Sequence, residues 1–141
     1  MSAFVSVAGA QPSGWHVIKD STGVCQLAVP PDWNVNPHVP NMATGPELAD
    51  AMIHAEPGKT VRPMNEVVQN VVGVDKMLEN SAQRVFWAGK PVSIPKGAPP
   101  VVAYRVSVPA KDGSCAGQIT IKQGGSETVV KQIAATVAPA K

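Results

Sequence analysis

Residues 15–20 and 24–29 form two short runs in which apolar residues recur, and Ser21, Thr22 and Gly23 between them are turn formers. The chain therefore opens with a β-hairpin. In its second strand Cys25, Leu27 and Val29 share a face, and Pro30 with Pro31 ends the ladder because neither has an N–H to donate. Trp33 follows at once and is placed to fold back as an anchor. Residues 30–63 are rich in proline and hold one strongly apolar run, residues 48–55, within which residues 51–55 read as a strand. The alternative there is a short helix capped at Thr44 with Pro46 in its first turn.

Over residues 64–80, Val67, Val68, Val71, Val72, Met77 and Leu78 fall on an apolar stripe at helical spacing, which predicts a helix lying on a sheet. Five valines and Gly73 make it intrinsically weak, so packing has to hold it. Residues 84–88 and 91–94 read as strands on either side of Gly89 and Lys90. Residues 101–108 put Val102, Tyr104, Val106 and Val108 on one face, and a turn at Lys111, Asp112 and Gly113 returns the chain as residues 115–123. Gly124 and Gly125 end that strand, Ser126 offers an N-cap, and Val129, Val130, Ile133, Ala134 and Val137 form the apolar face of a closing helix. The predicted class is α+β, an antiparallel sheet covered by two helices.

The order of elements over about residues 15–137 resembles the PsbP-like family, on an opening strand ending in VPPDW, a central helix, a run of antiparallel strands and a C-terminal helix. The resemblance implies an αβα sandwich of PsbP-like type, as in secreted bacterial members, and binding or assembly roles rather than catalysis. No residue can be matched to photosystem or Ran binding.

At 141 residues the chain has room for one domain, residues 15–141, behind an arm at residues 1–14. Within that arm residues 4–11 end in small residues with Ala8 and Ala10 at A-x-A spacing, the tail of a signal peptide in this reading; an ordinary first strand or arm is the alternative. Twelve Lys plus Arg stand singly against ten Asp plus Glu, which is no nucleic-acid footprint, and no segment approaches a transmembrane length. A periplasmic or secreted protein is expected. The two cysteines, Cys25 and Cys115, both project from core faces of predicted strands, so either they form a disulfide or they are buried free thiols.

Chemistry is thinly marked. Residues 56–60, EPGKT, end like a phosphate-binding loop, but Ile53 stands where its first glycine belongs. GSCAG, residues 113–117, imitates a nucleophile elbow around Cys115, yet a strand follows it instead of a helix. No catalytic, cofactor or metal set is assigned. Trp15, Trp33, Trp87 and Tyr104 are the candidates for a binding surface, with core anchoring as the competing role. Met42, Met52, Met64 and Met77 read as core filler. The expected function is a non-catalytic exported binding or assembly module for an unknown protein or small-molecule ligand. The alternative is an enzyme or metal-dependent site around the Pro-rich loop, drawing on His54, Glu56, Asp32 and His38.

Overall fold

A computed structural model describes residues 12–61, 72–91 and 96–140. They form two antiparallel sheets. Strands β1 (His16–Lys19), β2 (Cys25–Val29) and β10 (Ala138–Pro139) make a small sheet in the order β1-β2-β10. The large sheet has seven strands in the order β3-β4-β5-β9-β8-β7-β6. Its members are β3 (Asn34–Val35), β4 (Met42–Thr44), β5 (Asp50–Pro57), β6 (Val72–Asn80), β7 (Val85–Pro91), β8 (Val101–Ala110) and β9 (Gly113–Lys122). One helix, α1 (Glu127–Ala134), stands among the described residues.

Two expectations hold closely. The opening hairpin pairs His16 with Val29 through Lys19 with Gln26, and the β8–β9 hairpin pairs Val101 with Lys122 through Ala110 with Gly113. The apolar run within the proline-rich interval is strand β5, paired to β9 along its whole length, and the helix alternative at Thr44 falls away.

The sandwich covered by two helices is overturned. Val72–Asn80, the second half of the predicted central helix, is strand β6 on the edge of the large sheet beside β7. Met64 to Val71 lie outside the described residues. The misreading has a physical cause: register shifts between Val74 and Lys76 and between Met77 and Glu79 each insert a residue into the ladder, stretching a period of two toward a helical one. Val74 and Met77 consequently reach Trp87 on one face while Leu78 packs into the main core on the other. Val72 and Val74, two of the valines that weaken the predicted helix, are at home in a strand. The expected separation of two strands at Gly89 and Lys90 is likewise absent, since β7 runs through both and Gly89 pairs with Val74 and Ala103, while residues 92–94 of the second expected strand lie outside the described residues.

The main core lies between the large sheet and a layer made by the small sheet together with α1. Leu27 and Val29 from β2 meet Ile53 from β5, Val106 from β8 and Ile119 from β9, with Val130 and Ile133 from the helix. Gly117 permits this approach, because a Cβ there would stand 2.8 Å from Val137 Cγ2. Thr136 fastens the layer to β2: its hydroxyl accepts from Ala28 N–H at 2.8 Å and donates to Ile133 O at 2.6 Å. Cys25 of β2 and Cys115 of β9 face each other across the two sheets with their α-carbons 5.5 Å apart, and they are joined by a disulfide.

Candidate functional site

The proline pair shapes one of the clefts among the described residues. Trp33 N–H donates to Pro30 O at 3.0 Å, closing a four-residue turn with Pro31 at its second position, where a fixed φ suits it. The turn swings the Trp33 indole inward until it is 4% exposed. The ring lies against Gly45, where a Cβ would stand 2.3 Å from it, so that only glycine allows the approach.

Beyond Gly45 the backbone is held in an unusual state. Glu47 and Leu48, neither of them glycine, have φ of 55° and 71°. Gly45 N–H donates to Ala49 O at 2.8 Å and Ala49 N–H to Pro46 O at 3.1 Å, and these bonds close the loop around the two residues. Such conformations cost about 1–3 kcal/mol each and collect at ligand sites. Between this loop, the Pro30–Trp33 turn and the start of α1 lies a cleft of about 350 Å³. Trp15, Trp33, Pro30, Pro46, Ile121 and Val129 supply its apolar lining, and Asp32, Glu47, Lys122 and Gln132 its polar groups. Glu47 and Lys122 are paired across its mouth at 2.7 Å. Nearby, burial pushes the Asp50 carboxyl above its usual range, against the hydrogen bond from Thr120.

A second cleft of about 440 Å³ opens at the disulfide end, lined by Thr22, Val24, Ala55, Glu56, Lys111, Ser114 and Pro139 among others. Glu56 is already engaged there, accepting from Arg105 Nη2 at 2.8 Å. The four polar candidates do not gather. Glu56 lines the second cleft and Asp32 the first, whereas His38 lies in a turn whose N–H donates to Asn36 Oδ1. His54 stands on the outer face of β5 with its Nε2 3.2 Å from Met52 Sδ.

The four aromatic candidates also separate. Trp15 and Trp33 share the first cleft. Trp87 is fully buried on the opposite face of the large sheet with Val85 and Ala103, and Tyr104 is 4% exposed in the main core. The Tyr104 hydroxyl donates to Glu127 Oε2 at 2.8 Å; burial first, then this carboxylate, pushes its pKa up to about 12. Glu127 is held below the usual carboxylate range by Tyr104 first and by Lys76 second.

The sequence marks Trp15 and Trp33 but not their companions in the cleft. Pro46, Glu47, Ile121 and Val129 come from three distant segments, and the one local hint is the Gly45-Pro46 pair.

No family model and no curated protein matches this chain. A crystal structure from Bacteroides thetaiotaomicron VPI-5482 is similar, with a TM-score of 0.53 and 15% identity. The similarity covers 83% of this chain and 45% of that one, so this chain spans less than half the length of its structural neighbour. At that identity the likeness is one of fold.

Proposed function

We propose that this chain is a non-catalytic, exported binding or assembly module whose ligand enters the cleft of Trp15 and Trp33. The observation that carries the reading is the cleft itself: two indoles and two prolines form an apolar concavity, bordered by a few charged groups and by a loop held at positive φ. Concave, largely apolar sites with a few placed polar groups are the usual form of ligand pockets. The dispersal of Glu56, Asp32, His38 and His54 among separate places supports binding over the enzyme alternative. Export is supported by the Cys25–Cys115 bridge, since disulfides persist in oxidising compartments.

The test is a thermal-shift and tryptophan-fluorescence screen of wild type and Trp15→Ala against oligosaccharides, proline-rich peptides and aromatic amines. We expect a ligand that raises the melting temperature of wild type and does so at least tenfold less potently in the variant. Ligands that stabilise both proteins equally, or that are chemically converted, would overturn the reading.

A further inference from the structure

Met42, Met52 and His54 are brought together on the face of the β4–β5 ribbon that points away from the main core. Met42 and Met52 are direct partners across the ladder, so their side chains leave the same face with Cβ atoms about 4.5–5.5 Å apart. His54 stands two residues beyond Met52 on β5, and the period of two puts it on that face as well. Their neighbours Ala43, Ala51 and Ile53 point the other way and are fully buried. The methionines, read from the sequence as core filler, are instead only partly buried, and His54 is exposed.

The His54 Nε2 and the Met52 Sδ are 3.2 Å apart. Two ligands of a single d¹⁰ ion, at bond lengths of about 2.0 Å to nitrogen and about 2.3 Å to sulfur, stand roughly 3.5–3.7 Å apart, so a small rotation of either side chain would admit the ion between them. Thioether sulfur is a soft donor that selects Cu(I), and imidazole suits copper too. A competing thiolate is excluded, because both cysteines are tied in the disulfide. Among the described residues no group of three His, Cys, Asp or Glu is placed to hold a metal, so a hard or borderline cation has no comparable cluster there.

We propose that Met42, Met52 and His54 form a surface site for a soft monovalent cation, Cu(I) or its redox-inert analogue Ag(I). The site is separate from the Trp15–Trp33 cleft and independent of the function proposed for it. A chain with such a site would carry or sequester the ion; no electron transfer is involved.

The test titrates the oxidised, full-length chain with Ag(I) by calorimetry and follows the methionine ε-methyl and histidine ring resonances by NMR. We expect one saturable equivalent, shifts at Met42, Met52 and His54, and affinity at least tenfold weaker in Met52→Leu and in His54→Gln. Zn(II) is expected to bind at least a hundredfold more weakly. These substitutions sit on an outer face, and unchanged melting temperatures would show that the variants are folded. The proposal fails if Ag(I) does not saturate at one equivalent, if it shifts resonances other than these three, if either variant binds like wild type, or if Zn(II) binds as tightly.

Discussion

Single residues here act by closing turns. Asp20 ends β1 and takes over the turn to β2: its Oδ1 accepts from Cys25 N–H at 2.7 Å and its Oδ2 from Thr22 N–H at 2.9 Å and from the Thr22 hydroxyl. Burial raises its pKa, but the hydrogen bonds from Thr22, Cys25 and Val24 outweigh this and leave it below the ordinary value of 3.8. A carboxyl lowered on folding contributes stability that is present above the unfolded value and lost as pH falls through the folded one. Asp20→Ala should therefore cost about 2–3 kcal/mol at neutral pH, the scale of hydrogen bonds to a charged group. Urea titrations of both proteins should show the gap narrowing below pH 3.8. A different constraint operates at Gly45, whose missing side chain admits the Trp33 ring. Gly45→Ala should push the indole out, seen as a red-shifted tryptophan emission together with a lower melting temperature.

At the scale of elements, α1 is joined to the large sheet through one carboxylate. Glu127 accepts from Tyr104 of β8 at 2.8 Å and pairs with Lys76 of β6 at 3.1 Å, while Lys131 lies one helical turn away at 3.5 Å. Lys76 and Lys131 are well exposed, so the ion pairs contribute little, and the shared hydrogen bond to the buried Tyr104 is the effective tie. Tyr104 is the one tyrosine of the chain, which makes its ionisation directly readable by absorbance. It should titrate near 12 in wild type and lower, though still above 10, in Glu127→Ala, because burial is the larger cause and survives the substitution. A group raised on folding contributes stability that is present below its unfolded pKa and lost as pH rises through the folded one, so wild-type stability should decline between pH 10 and 12. The hairpins and the start of α1 were legible in the sequence because period, turn residues and the Ser126 cap agree within each segment, although the helix ends at Ala134 and Val137, expected on its face, lies beyond it. Strand β6 was not, because its bulges are set by its partner β7 and imitate a helical stripe.

At the scale of the whole molecule, the disulfide closes a loop of 90 residues and joins the two sheets in the core. On the loop-entropy model such a bridge contributes about 4–5 kcal/mol, mainly by restricting the unfolded chain. Cys25→Ala/Cys115→Ala should lower the denaturation free energy by roughly that amount on the same model while leaving far-ultraviolet circular dichroism unchanged. A loss of β signal in the folded variant would show instead that the bridge dictates the fold. The matching phases of Cys25 and Cys115 were visible in the sequence; their meeting across sheets, 5.5 Å apart, depended on the topology. The candidate sites divide in the same way. Trp15 and Trp33 were marked by their bulk, and Trp33 also by its place just behind the proline pair, while Trp87 and Tyr104, equally conspicuous as letters, went to the interior because β7 and β8 are inner strands buried on both faces. The pairing of Met42 with Met52 beside His54 depends on β4 folding back on β5, a register that neither segment encodes alone. By itself the sequence determined what local physics controls: where the two hairpins turn, where the Pro30–Pro31 and Gly124–Gly125 pairs end their strands, and where the closing helix is capped. Tertiary structure decided what depends on partners: the bulged edge strand, the sheet order, which face of each strand meets solvent, and so which side chains share a cleft.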